Sequence, residues 1–167
     1  SMRADLPHKK TACLLALGLC VTPVIAQEVG SSAEPSAVEA FNKINDVKVL
    51  AQKAALPSLA GDEKFVLREF WWGGSIEPGK AKLHQVQLFK RNSYRFWLAV
   101  PDRRAGLNLN VYDSTGQLVK TELSEIDGTN IVTLEVSPEV TGIYFVRISL
   151  KTTIEIPQDY AVIYAYR

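Results

Sequence analysis

Thiols, imidazoles and runs of like charge are nearly absent from this chain, which holds two cysteines and two histidines in 167 residues. Cys13 and Cys20 both fall within residues 1–26, which read as a removable segment. The remainder then offers no disulfide, no thiol nucleophile and no thiolate metal site. His84 is the only histidine beyond that segment, so a His-rich zinc site is excluded and a serine–histidine–carboxylate triad would have to use it. No Gly-x-Ser-x-Gly elbow occurs, and its place beside Gln85 and Gln87 on a predicted strand reads as an exposed histidine. The acidic residues are scattered over different predicted strands and turns, with no recognisable acid/base pair. The chain is therefore expected not to be an enzyme.

The N-terminus carries Arg3, Lys9 and Lys10, then an apolar run from Thr11 to Ile25 that closes on Val24-Ile25-Ala26. A basic start, a short apolar core and a small-x-small ending predict a cleavable signal peptide over residues 1–26, with Ser1 ahead of Met2 reading as a cloning scar. The run is shorter than the roughly 20 residues that span a bilayer, and Pro23 breaks its helix near the cut. Leu19 before Cys20 is too large for a lipoprotein cleavage site, so no stable membrane anchor is expected after cleavage. Removing Arg3, Lys9, Lys10 and Asp5 from 19 basic and 18 acidic residues leaves a net charge of −1. A near-neutral chain without basic runs has no electrostatic footprint for nucleic acid. The expected location is periplasmic or secreted, in a bacterium.

Beyond the signal, residues 27–35 are small and polar and read as a flexible lead-in. Ser36-Ala-Val-Glu39 has capping-box form. Val38, Phe41, Ile44, Val47, Ala51 and Ala54 then recur at helical spacing, predicting a helix over 36–56 that stops ahead of Pro57. From Phe65 the period changes to two. Runs at about 65–72, 83–89, 93–100, 107–113, 117–123, 130–136, 143–150 and 160–166 are separated by Gly73-Gly74, Pro78-Gly79, Pro101 to Gly106, Thr115-Gly116, Asp127-Gly128 and Ser137 to Gly142. That spacing predicts a mainly β fold over 63–167: a jelly-roll-like antiparallel β-sandwich of about eight strands behind one N-terminal α-helix.

Four segments carry a resemblance: "SYRFWLAVP", "LNLNVYDSTGQLV", "VSPEVTGIYFVRISL" and "DYAVIYAY". In this order and spacing they resemble the bacterial pre-peptidase C-terminal domain, over roughly residues 80–167. That family runs an aromatic strand, an Asp-Leu-Asp-Leu strand into an Asp-x-x-Gly turn, a Gly-x-Tyr-x-Val-x-Val strand and a last Tyr-x-Leu-x-Val strand. The resemblance implies an exported, non-catalytic jelly-roll module, with relatives that bind calcium and collagen and others taken to hold polysaccharide or to help secretion. Asn108 and Asn110 stand where the family carries aspartates, while Asp113 and Gly116 match its turn. Calcium prefers carboxylates among its oxygen ligands, so Asn108, Asn110 and Asp113 form a weak candidate calcium site, and no other cofactor is implied.

The tryptophans are the remaining candidates. Trp71 and Trp72 are adjacent, so a regular strand points them to opposite faces. Trp97 alternates with the inward set Tyr94, Phe96 and Leu98 and so falls on the outer face. An indole left open beside polar groups can stack on a sugar ring or anchor a protein contact. Burial of Trp72 under the helix or at a sandwich edge is the favoured reading, since large aromatics usually find cover. Function is expected to be a binding or interaction module, for carbohydrate or another envelope or secreted protein. The alternative is a self-associating envelope component, a possible homo-oligomer through the helix. Mass spectrometry of the exported protein should find Gln27 as its first residue; a retained segment 1–26 would contradict the predicted cut.

Overall fold

A computed structural model describes residues 36–150 and 155–167, so the predicted signal peptide and the predicted lead-in lie outside the described residues. Among them are one helix, α1 (Ala37–Ala60), and nine strands. In chain order these are β1 (Val66–Leu67), β2 (Trp72–Ile76), β3 (Ala81–Leu88), β4 (Tyr94–Ala99), β5 (Leu107–Tyr112), β6 (Ser124–Glu125), β7 (Ile131–Val136), β8 (Gly142–Leu150) and β9 (Gln158–Tyr166). They form two antiparallel sheets. The larger runs β1-β9-β4-β7-β6 with β2 also on β9, and the smaller runs β3-β8-β5. Successive strands from β2 to β5, and again from β7 to β9, alternate between the sheets. This alternation is how a jelly roll buries the facing sides of both sheets.

The predicted period of two is realised most plainly in β5, where Leu107, Leu109 and Val111 are buried and Asn108, Asn110 and Tyr112 are not. The inner faces meet in one core that includes Leu88, Phe96, Leu109, Val146, Ile148 and Val162. The larger sheet is apolar on its other face too. There Trp97, Ala99, Ile131, Ala161, Ile163 and Ala165 form a second cluster with Val47, Ala51 and Ala55 of α1. Small residues on both partners let the helix lie close to the sheet, and Trp97, 1% exposed, fills the space between them.

The capping box at Ser36 is present, with Glu39 N–H donating to Ser36 Oγ and Ser36 N–H donating to the Glu39 carboxylate. Five features differ from expectation, the first being that the predicted strand at 65–72 is realised only as β1, with residues 68–71 outside any strand before β2 begins. The helix does not stop at residue 56 but continues through Pro57 to Ala60. Tertiary contacts hold that last turn: Ser58 is buried, its carbonyl accepts from Phe65 N–H at 3.3 Å, and its hydroxyl accepts from Arg95 at 2.6 Å. The helix stripe is also shorter than its sequence pattern, because Val38 and Phe41 stay exposed and burial begins at Val47.

Gly73 and Gly74 do not punctuate a turn but lie inside β2, paired with Ala161 and Tyr160 of β9. A Cβ on Gly73 would sit 2.5 Å from the Trp71 ring and 2.8 Å from Ile44, so the glycine makes room for the helix and the indole. The predicted strand at 117–123 shrinks to a bridge between Leu118 and Tyr112, with Val119 N–H donating to Val111 O at 2.8 Å. It occupies the jelly roll's remaining edge position beside β5. Gly73→Ala should destabilise the protein by about 1–3 kcal/mol through overpacking, read as a lower midpoint in urea with an unchanged slope. An unchanged midpoint would show that the Trp71–Ile44 contact has slack.

Candidate functional site

Each tryptophan finds its ring partners within the chain. Trp97 lies beneath α1 and presents no free face. Trp71 packs on the helix side, with Lys48 Nζ 4.7 Å from its ring centre. Trp72 points the other way, into the open edge between β2 and β3. There it stacks on His84 and on Tyr164, each at 5.4 Å, and takes the edge of Phe70 at 5.3 Å. The helix thus covers Trp71 and Trp97, while Trp72 seals a sandwich edge. Of this group only Phe70 is broadly open, at 60%.

His84 is not the exposed strand histidine that its neighbours suggested. It shares its side of β3 with Val86 and Leu88, facing the larger sheet. It is half-buried, and its Nε2 pairs with the Tyr160 hydroxyl at 2.9 Å. Burial holds its pKa below the ordinary 6.5, and the positive charge of Lys82 two residues away acts in the same direction. Burial also raises the Tyr160 hydroxyl above its usual value. Among the described residues neither a carboxylate nor a serine hydrogen-bonds the imidazole, so its pair with the tyrosine hydroxyl closes the edge rather than forming a triad.

Asp113 follows β5 and organises its turn. Its Oδ1 accepts from Thr115 Oγ1 at 2.6 Å, Thr115 N–H at 2.9 Å and Gln117 N–H at 2.9 Å. The Thr115 hydroxyl bond, then the Gln117 amide, hold this carboxyl below the usual carboxylate range. Gly116 closes the turn at φ +83°. Asn108 and Asn110 sit further back on the outer face of β5, opposite Ser149 and Arg147 of β8. The three residues do not fit a calcium site: one carboxylate oxygen already takes three donors, and the Arg147 guanidinium across from Asn110 disfavours a cation there. Among the described residues no three His, Cys, Asp or Glu side chains gather to hold a metal.

Two carboxylates, Glu122 and Glu135, line one open cleft of about 590 Å³. Glu135 is engaged on both oxygens, by Arg95 at 2.6 Å and Arg167 at 3.1 Å. Arg95 also binds Glu63, and both guanidiniums lie over the Phe65 ring. This network clamps the end of the helix and the following loop onto the larger sheet. Both oxygens of Glu135 are thus taken up by ion pairs within the chain.

The outer face of the smaller sheet was not among the sequence candidates beyond its two asparagines. Across the register, Leu83, Arg147 and Asn110 form one row, and Gln85, Phe145 and Tyr112 the next. The outward alternation of Phe145 and Arg147 in "GIYFVRISL" was visible, but its place beside Asn110 depends on the β5–β8 register.

Residues 96–158 match the family model described as a secretion system C-terminal sorting domain. The match runs from β4 through β8 to the first residue of β9, leaving out α1 and β1–β3. No curated protein matches the chain.

The His84 shift makes a pH prediction. A histidine with a folded pKa below its unfolded 6.5 binds fewer protons folded than unfolded, so its contribution is present above pH 6.5 and is lost as pH falls from there through the lower folded value. The melting temperature should therefore drop on acidification from pH 7.5 to 5.5, and His84→Gln should flatten that drop. Parallel curves for the two proteins would contradict it.

Proposed function

We propose that this chain is an exported, non-catalytic β-sandwich module that works by being recognised during export and by binding a partner outside the cell or in the envelope. The observation that carries the reading is the match to a sorting domain over residues 96–158, which falls on the sandwich strands β4 to β8. A recognition element of this kind needs a stable fold with a free surface, and a jelly roll with one uncovered sheet face supplies both. The pre-peptidase C-terminal resemblance belongs to the same reading, since it too concerns exported β-sandwiches without catalytic groups. The engaged Glu135 and the edge-closing His84 support the non-catalytic part.

Self-association through the helix is the weaker reading, because the stripe from Val47 to Ser58 faces the chain's own larger sheet. The apolar side chains that the helix leaves exposed for a second copy are Val38, Phe41, Val49 and Leu56, at 68%, 62%, 45% and 54%.

The test is a monomeric reporter carrying a signal peptide, fused ahead of residues 27–167 in a bacterium whose secretion system reads C-terminal sorting domains. The reporter should reach the cell surface or medium, and deletion of β8 and β9 should leave it in the periplasm. A reporter that stays in the periplasm with the intact module would overturn the reading.

A further inference from the structure

The larger sheet is covered on both sides, by the smaller sheet and by α1, whereas no helix or strand among the described residues packs over the outer face of the smaller sheet. One solvated face is ordinary for an antiparallel sheet, but such a face normally intersperses lysines, arginines and acids of both signs. Here Arg147 is the only charged residue among the outward positions of β3, β8 and β5. The others are four amides, two aromatic rings, three aliphatic residues and one serine.

The register arranges these groups in a usable order. Arg147 lies in the middle strand with Asn110 on one side and Leu83 on the other. One step along, Phe145 is flanked by Tyr112 and Gln85. Strand spacing puts neighbours in a row about 4.8 Å apart, and successive rows are about 7 Å apart along the strand. Among the described residues, neither ring stacks on another aromatic, and the Arg147, Asn108, Asn110 and Gln85 side chains have no hydrogen-bond partner.

We propose that this face binds an acidic polysaccharide. A pyranose ring offers an apolar C–H face to Phe145 and Tyr112 and a rim of hydroxyls to the amides, which both donate and accept. The Arg147 guanidinium takes the carboxylate of a uronic acid in two parallel hydrogen bonds. Charge complementarity favours this occupant, since the face holds one cation and no anion to repel it. The inference rests on the module being a non-catalytic binder, but not on export, so the reporter assay and the binding assay fail independently.

The test is affinity electrophoresis of the full chain in native gels containing polygalacturonate, alginate or neutral dextran, with light scattering on the same samples. The protein should be retarded by the acidic polymers and much less by dextran. Arg147→Gln and Phe145→Ala should each weaken retention roughly tenfold, with unchanged circular dichroism. Arg147→Lys, which keeps the charge without the planar fork, should retain part of it. No retardation by either acidic polymer overturns the proposal, as does retention equal in dextran or undisturbed in both variants. A concentration-dependent dimer abolished by Phe145→Ala, without polymer binding, overturns it in favour of a second copy of the chain.

Discussion

The larger sheet is apolar on both faces, and the rest of the molecule is arranged around that constraint. A two-layer sandwich would leave Trp97, Ile131 and Ile163 in water. The helix removes them from it, although it carries a proline in its last turn. Truncation of a buried tryptophan costs about 3–5 kcal/mol, against a total stability of about 5–15 kcal/mol for a domain. The Trp97 contact is thus a large fraction of what keeps the chain folded. The Arg95, Glu63, Glu135 and Arg167 network fastens the same end of the helix, so packing and charge fix one docking position together.

That constraint also redistributes candidate function. Tryptophans attract attention as ligand anchors, yet two of the three are taken up by the helix and the third by the edge beside β3. Asp113 is occupied by its turn. Once these are assigned, the outer side of the smaller sheet is left as the broad surface whose polar groups lack partners among the described residues.

Much of this was legible in the residues. The capping box at Ser36 and the alternation in "LNLNVYD" are local signals, and each is realised where it was expected, whereas the run 65–72 yields only β1 and the first residue of β2. Three others misled because a distant partner decided the outcome. Gly73 and Gly74 look like a break, but β9 pairs with them and Trp71 needs the space. Pro57 looks like a stop, but Ser58 is held from β4. The run 117–123 alternates well enough, yet only Leu118 and Val119 meet β5. His84 looked exposed because its neighbours are glutamines, whereas alternation puts it on the other side, against Trp72 and Tyr160. The smaller sheet's face escaped notice for a related reason: its rows come from three separate strands, and only register brings Asn110, Arg147 and Leu83 together.

Hydrogen–deuterium exchange on the intact chain tests the central claim most directly, since it reports whether α1 is a layer of the fold. Amides from Val47 to Ala60 should exchange as slowly as those of β4 and β9, and should lose protection together with them as denaturant is raised. Fast exchange across that helix while β4 and β9 stay protected would contradict the account.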